Sequence, residues 1–193
     1  FNQTTIHAVE IDTAVVKVAK KYFDLIENDQ IKVFSQDGRV FTKRAKAKSL
    51  KYDLIILDAF NGDYIPEHLM TREYLQENRS ILSTNGLLAS NTFSTSALYD
   101  HESETYASVF GNLVNFKRIE TNNRVLFAPV NKPDQATIMK RAKKFQALMK
   151  EYDVPIMEYA KDISEALSAR PDWNQDARIL TDQYSPANLL RSD

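Results

Sequence analysis

The sequence predicts an α/β protein built on an open, mostly parallel sheet, with helices on both faces and an antiparallel hairpin late in the chain. Segments rich in β-branched and apolar residues alternate with segments whose apolar residues recur every three or four positions. The segment Tyr52–Asp58 is apolar along most of its length and ends in a carboxylate. Strands without polar alternation are typical of parallel sheets covered on both faces, so this strand is predicted to be buried on both sides.

The predicted elements alternate between strand and helix for most of the chain. The predicted strands are 4–11, 31–34, 52–58, 87–93, 116–120 and 125–130, and the last two form the hairpin, which turns at 121–124. The predicted helices are one that begins at residue 13, then 39–48, 67–70, 71–82, 97–110 and 134–152. Asp12 is placed to cap the first helix, and Asn85-Gly86 is predicted to close the helix that starts at Thr71. No regular element is predicted after Tyr152.

The composition limits the possible functions. The 193 residues are 43% hydrophobic and 26% charged, the usual balance for one globular domain with a sizeable core, so residues 1–193 are expected to form a single domain. A net charge of −1 gives no reason to expect a nucleic-acid partner. The chain has no cysteine, which excludes disulfides and thiolate zinc sites, and no apolar run approaches the ~20 residues that span a bilayer. We therefore expect a cytoplasmic protein.

Several kinds of site are not indicated by the sequence. His7, His68 and His101 are far apart and lack the spacing of metal ligands, so no metal is expected. The segment His101–Glu104 is predicted to be the polar face of a helix. The chain has no Gly-x-Ser-x-Gly motif of a serine nucleophile and no Gly-rich loop that could cradle a phosphate.

The start of the chain is unusual for a complete α/β domain. The first residue is Phe1, and the first predicted strand begins almost at once. The four glycines each lie near a predicted element boundary. We therefore expect that the natural chain begins upstream of this sequence.

Acidic residues follow the predicted strands, where ligands bind in open α/β sheets. Glu10 ends the first strand, and a carboxylate there can accept from both hydroxyls of a ribose, while Asp12 caps the next helix. Asp37-Gly38 could accept a hydrogen bond from an adenine amino group, with the glycine letting the ring lie near the backbone. Taken alone, Asp37 and Gly38 are better explained as a plain turn with an N-cap.

Asp58 ends the most apolar strand and is the candidate for proton transfer. A partly desolvated acid at this position suits that chemistry, although a strand-end carboxylate bonded to loop amides is an equal alternative. The loop that follows, residues 59–65, contains Asn61, Asp63 and Tyr64 and is predicted to be a mobile cover over the substrate.

Together these segments resemble the polyamine aminopropyltransferases, or spermidine synthases. The order and spacing match in Ala8–Asp12 with its helix, in Asp37–Phe41 and in Tyr52–Asp58. The resemblance is closer still to a bacterial spermidine synthase-like branch of this family in three further segments, which are Asp58–Phe60, Ile65–Leu69 and Thr181–Pro186.

The resemblance implies a Rossmann-like fold of the class I methyltransferase type that binds decarboxylated S-adenosylmethionine or its product methylthioadenosine. It implies that Glu10 binds the ribose, that Asp37 binds the adenine, with Asp12 and Gly38 beside them, and that Asp58 accepts the proton of an attacking amine such as putrescine. It also implies a homodimer. Relative to this family, the first strand and its Gly-rich loop are absent from the sequence.

Two departures from the family pattern keep other functions open. Asn61 stands where the family has the second acid of an Asp-x-x-Asp loop, and Ser90–Thr92 replaces the Gln-Gly-Glu segment that helps hold the polyamine. The alternatives are a methyltransferase that uses S-adenosylmethionine and a non-catalytic spermidine synthase-like module.

Overall fold

The computed structural model describes residues 4–60, 65–117 and 122–184. The chain divides into two compact units, Phe1–Leu50 and Lys51–Asp193. Each unit is described by itself, and the single domain predicted for the whole chain stays a prediction.

The first unit consists of two parallel strands, each followed by a helix. Its elements are β1 (Ile6–Val9), α1 (Thr13–Tyr22), β2 (Ile31–Phe34) and α2 (Gly38–Ala47). The strands pair in register from Ile6 opposite Ile31 to Val9 opposite Phe34. The predicted order of strand and helix is confirmed, and β1 is shorter than the predicted segment 4–11.

Both helices of the first unit have an aspartate as their N-cap, whose short side chain bonds to a backbone amide of the first turn. The Oδ1 atom of Asp12 accepts from the backbone N–H of Ala14 at 2.7 Å, and Oδ1 of Asp37 accepts from the N–H of Val40 at 2.9 Å. The prediction that Asp12 caps α1 is therefore confirmed. The cap at Asp37 is the turn explanation that the sequence left open.

The second unit contains a four-stranded mixed sheet. Its strands are β3 (Tyr52–Leu57), β4 (Leu82–Phe93), β5 (Val114–Lys117) and β6 (Asn123–Pro129), in the order β3-β4-β6-β5. The β3–β4 pair is parallel, whereas β6 runs antiparallel to both β4 and β5. The antiparallel hairpin is therefore confirmed. The sheet is mixed rather than mostly parallel, because β6 of the hairpin inserts next to β4.

Four helices and a short 3-10 turn complete the second unit. They are the turn Glu67–Leu69, α3 (Arg72–Ile81), α4 (Tyr99–Phe110), α5 (Gln135–Lys150) and α6 (Ile156–Ala166). Helix α3 packs against β4, α4 packs against β6, and α6 packs against β5. Helix α6 lies after Tyr152, where the sequence predicted no regular element.

Gly86 does not close α3, as the sequence predicted, but lies inside β4. Helix α3 ends at Ile81, and the chain continues directly into the strand at Leu82. A Cβ atom at Gly86 would lie 3.0 Å from the Leu82 side chain and 3.0 Å from the carbonyl oxygen of Ser83. This glycine is therefore explained by close packing and not by a helix end.

The core of the second unit lies between α3, α4 and the sheet. Its buried members are Leu75, Leu82, Leu88, Tyr106, Phe110, Leu126 and Ala128. Ile55 and Leu57 of β3 pack against this core, whereas Leu54 is 50% exposed and Ile56 is 67% exposed. The prediction that β3 is buried on both faces is therefore wrong for the described residues. Alternate side chains of a strand point to opposite faces, and only one face of β3 is covered here.

Candidate functional site

The first unit places Glu10 and Asp37 after two adjacent parallel strands, at the same edge. The N–H of Glu10 donates to the carbonyl oxygen of Phe34 at 3.1 Å, which ties the end of β1 to the end of β2. The Oε1 atom of Glu10 accepts from the N–H of Asp12 at 2.8 Å. One oxygen of the Glu10 carboxylate therefore supports the start of α1.

Glu10, Asp37 and Gly38 are partly exposed, and Asp12 is exposed. A nucleoside could therefore reach the carboxylates at this edge of the two strands. Gly38 is the first residue of α2 and directly follows the cap Asp37. The ligand roles of Glu10, Asp12, Asp37 and Gly38 stay predictions.

In the second unit, Asp58 directly follows β3 and is held by a side chain of the neighbouring strand. Its Oδ1 atom accepts from Nδ2 of Asn91 at 2.9 Å. The residue is exposed, so the partial burial expected from its apolar strand is not found in the described residues. The bond to Asn91 leaves Oδ2 of Asp58 able to accept a further proton or hydrogen bond.

A small pocket adjoins Asp58, and we call it the β3–β4 pocket. It has a volume of about 20 Å³, which is room for one water molecule. Its apolar wall consists of Leu57, Ala59, Ile65, Leu69 and Met70. Its polar wall consists of Tyr74, Ser90, Asn91, Glu102 and Tyr106. Residues on both sides of Asp58 in the chain, and its partner Asn91, line this pocket.

The polar wall is internally hydrogen-bonded. The hydroxyl of Tyr106 donates to Oγ of Ser90 at 2.8 Å. Burial raises the pKa of Tyr106, so this hydroxyl stays protonated and acts as a donor at neutral pH.

Glu102 carries a buried charge on the same wall, next to a buried cation. Its Oε2 atom lies 2.9 Å from Nη2 of Arg124, whose side chain is 0% exposed. Arg124 also donates to Oγ1 of Thr92 at 2.7 Å and to Oγ of Ser103 at 2.6 Å. Burial raises the pKa of Glu102, and Arg124 opposes that effect. The carboxylate is therefore engaged by the protein's own cation.

This buried pair was not predicted from the sequence. His101–Glu104 was predicted to be the polar face of a helix, but Glu102 and Ser103 are buried within α4. One signal was available, because Arg124 alternates with Leu126 and Ala128, the buried positions of β6. A charged residue at a buried strand position needs a partner of opposite charge.

The remaining predicted site residues are Asn61, Asp63 and Tyr64, which lie outside the described residues. Within the described ranges, no group of three or more His, Asp or Glu side chains is placed to hold a metal ion. None of the helices in those ranges is both long and apolar enough to cross a membrane.

Comparison with known proteins identifies the family. Residues 1–151 match the sequence model of the spermine/spermidine synthase domain. A polyamine aminopropyltransferase from Vibrio vulnificus (strain CMCP6) is 45% identical over 193 residues, which cover 99% of this chain and 63% of that protein. The chain thus spans less than two thirds of the length of this relative.

Solved structures agree on the fold. Human methyltransferase-like protein 13, in complex with SAH, superposes with a TM-score of 0.65 at 22% identity, over 95% of this chain and 80% of that one. A probable spermidine synthase from Corynebacterium glutamicum gives a TM-score of 0.60 at 17% identity, over 93% and 67% of the two chains. The class I methyltransferase-like α/β fold is confirmed, and the domain match together with the 45% identity shows that this chain belongs to the spermine/spermidine synthase family.

Proposed function

We propose that this chain carries out aminopropyl transfer from decarboxylated S-adenosylmethionine to an aliphatic amine such as putrescine. The observation that carries the proposal is the placement of Asp58, an accessible carboxylate held by Asn91 at 2.9 Å beside a pocket with an apolar wall. An aliphatic diamine has the matching chemistry, because its methylene groups suit apolar walls and its amino group suits a carboxylate.

Asp58 acts as the proton acceptor in this reaction. The nitrogen of the amine attacks the carbon next to the donor's sulfonium, a C–N bond forms, and the C–S bond breaks. Methylthioadenosine leaves as a neutral thioether, and the proton from the nitrogen passes to Oδ2 of Asp58. The bond from Asn91 fixes the carboxylate so that this oxygen faces the amine.

The first unit binds the nucleoside part of the donor. Glu10 accepts from the ribose hydroxyls, and Asp37 accepts from the adenine amino group. Asp12 and Gly38 form the adjoining helix starts, which lie at the same strand ends as the two carboxylates. Asn61, Asp63 and Tyr64 belong to the loop that covers the substrate.

A methyltransferase that uses S-adenosylmethionine is the second candidate. Asn61 in place of a second loop acid and Ser90–Thr92 in place of the polyamine-binding segment favour it. Turnover assays with both donors separate the two functions. Preference for the decarboxylated donor supports aminopropyl transfer, and preference for S-adenosylmethionine supports methyl transfer.

The decisive experiment combines calorimetric titration of methylthioadenosine with turnover measurements on Asp58→Asn. We expect the substitution to lower kcat on the order of 10²–10⁴-fold, because the proton acceptor is lost. The Kd of methylthioadenosine should stay unchanged. Asp53→Asn is the matched control, since Asp53 lies at the other end of β3 and bonds to Ser83. If the wild type binds no methylthioadenosine, or if Asp58→Asn turns over normally, the proposed function is wrong.

A further inference from the structure

A segment near the C-terminus, Arg178–Tyr184, lies against the start of α3 and against α4. We call it the C-terminal strap. The carbonyl oxygen of Leu180 accepts from the N–H of Arg72 at 2.8 Å, and the N–H of Leu180 donates to Oγ1 of Thr105 at 2.9 Å. The strap is therefore bonded on one side to the first residue of α3 and on the other side to α4.

The side chain of Leu180 supports the apolar wall of the β3–β4 pocket. It is 0% exposed and forms a buried cluster with Met70 and Leu98, against which Ile65 packs. Met70 and Ile65 are also wall residues of the pocket. The same side chains thus face the pocket region and rest on the strap, so a displacement of Leu180 is transmitted to the wall.

Asp182 bonds to Thr71, the residue that joins the apolar wall to the start of α3. Its Oδ1 atom accepts from the hydroxyl of Thr71 at 2.7 Å, and its N–H donates to Oε2 of Glu73 at 3.0 Å. Thr71 is 1% exposed and its Oγ1 caps α3 by accepting from the N–H of Tyr74 at 3.3 Å. Tyr74 belongs to the polar wall of the pocket, so Asp182 is linked to both walls through one buried hydroxyl.

The strap also has hydrogen bonds and a ring contact within itself. Thr181 and Tyr184 exchange two backbone hydrogen bonds of 2.8 and 2.9 Å across a tight turn. The guanidinium of Arg178 lies 3.3 Å from the centre of the Tyr184 ring, and its carbonyl oxygen lies 2.7 Å from Nδ1 of His101. A segment closed on itself in this way can fix the position of what it touches.

We propose that Leu180 and Asp182 of the C-terminal strap are positioning residues. They fix the part of the apolar wall that Ile65, Leu69 and Met70 form, and thereby set the affinity for the amine acceptor. That an amine lies against the apolar wall rests on the proposed function, whereas the support of the wall by the strap does not. The pocket has room for one water molecule, so the methylene chain lies along the wall rather than inside the pocket. A slight outward movement of the wall removes contacts with that chain.

The test uses Asp182→Ala, with Asp182→Asn as the conservative variant because an amide oxygen can still accept from Thr71. Asp176→Ala is the matched control, since Asp176 is exposed in the same C-terminal region. We expect Asp182→Ala to speed hydrogen exchange of the amides in 65–75 and to raise the KM for putrescine about tenfold. The kcat and the Kd of methylthioadenosine should stay within about twofold. Asp182→Asn should restore the wild-type values, and Asp176→Ala should change nothing.

Three results overturn the proposal. If Asp182→Ala leaves the hydrogen exchange of amides 65–75 unchanged, the strap does not hold the wall. If the exchange becomes faster while the KM for putrescine stays unchanged, the wall does not govern acceptor binding. A joint loss of kcat and methylthioadenosine affinity points to general destabilisation. If the wild type binds neither methylthioadenosine nor putrescine, the proposed function fails, and the exchange pattern alone then decides whether the strap holds the wall.

Discussion

Replacing Glu102 by glutamine tests the buried ion pair under α4. The substitution keeps the shape of the side chain but removes the charge that lies 2.9 Å from Arg124. Breaking a buried pair costs about 3–5 kcal/mol, because the remaining charge has no counter-ion. Arg124 keeps the bonds to Thr92 and Ser103 and its stacking at 4.0 Å on the Tyr99 ring, so we expect the lower value, about 3 kcal/mol.

The opposite substitution, Arg124→Met, should behave differently with pH. Burial already raises the pKa of Glu102, and removal of the cation raises it further. A carboxyl whose folded pKa is raised destabilises the protein above that pKa, and the penalty disappears as pH falls below the unfolded value of 4.5. The loss of unfolding free energy in Arg124→Met should therefore shrink as the pH falls. The loss in Glu102→Gln should not shrink, because the raised pKa of Glu102 adds stability to the wild type as pH falls and the variant lacks this group.

The assay is urea unfolding followed by the fluorescence of Trp173, the only tryptophan in the sequence. Its indole N–H donates to Oε2 of Glu104 on α4 at 3.0 Å, so the signal reports on the unit that contains the pair. The double variant Glu102→Gln/Arg124→Met completes a double-mutant cycle, in which we expect a coupling of about 2 kcal/mol.

The control is Glu165→Gln, which removes an exposed charge from the 3.9 Å pair with Lys161 and should change stability by less than about 0.5 kcal/mol. If Glu102→Gln lowers the unfolding free energy by less than about 1 kcal/mol at every pH, the reasoning is refuted. Such a small loss would mean that the guanidinium of Arg124 is solvated and needs no buried partner. Equal pH dependence of the two single variants would also contradict it.

Two further predictions concern stability in the second unit. Burial raises the pKa of Asp172, but hydrogen bonds from Lys117, Tyr99 and Asn115 and the charge of Lys117 outweigh burial, so the pKa lies below 3.8. Asp172→Asn should therefore lower the unfolding free energy at neutral pH. The difference in unfolding free energy from the wild type should vanish as pH falls through the folded pKa of Asp172. A difference that stays constant with pH would contradict this. Gly86→Ala should cost about 1–3 kcal/mol in urea unfolding, because the new Cβ meets Leu82 and Ser83 at 3.0 Å. The exposed neighbour variant Asn85→Ala should stay within about 0.5 kcal/mol, and equal effects of the two would show that packing at Gly86 is not tight.

The sequence was sufficient for the features that depend on near neighbours in the chain. Helix α1 and its cap at Asp12 were predicted, because the apolar spacing and the bond from residue 12 to residue 14 are local. The antiparallel hairpin was predicted for the same reason. The family resemblance rested on short segments around Glu10, Asp37 and Asp58, which can be recognised without knowing what covers them.

The sequence was not sufficient where distant segments meet. It gave no sign that Asn91 would hold Asp58, since the two are 33 positions apart and become neighbours only through the β3–β4 pairing. It placed Glu102 on a polar surface, although Arg124 on β6 brings it into the core. The bond between Thr71 and Asp182 joins positions 111 residues apart.

The sequence by itself thus determined the helices with local caps, the late hairpin and the family. Only the tertiary structure decided which charges are buried, which face of β3 is covered and what supports the β3–β4 pocket. The physical reason is that a cap is formed within one turn of chain, whereas burial and pairing depend on which remote surfaces come into contact.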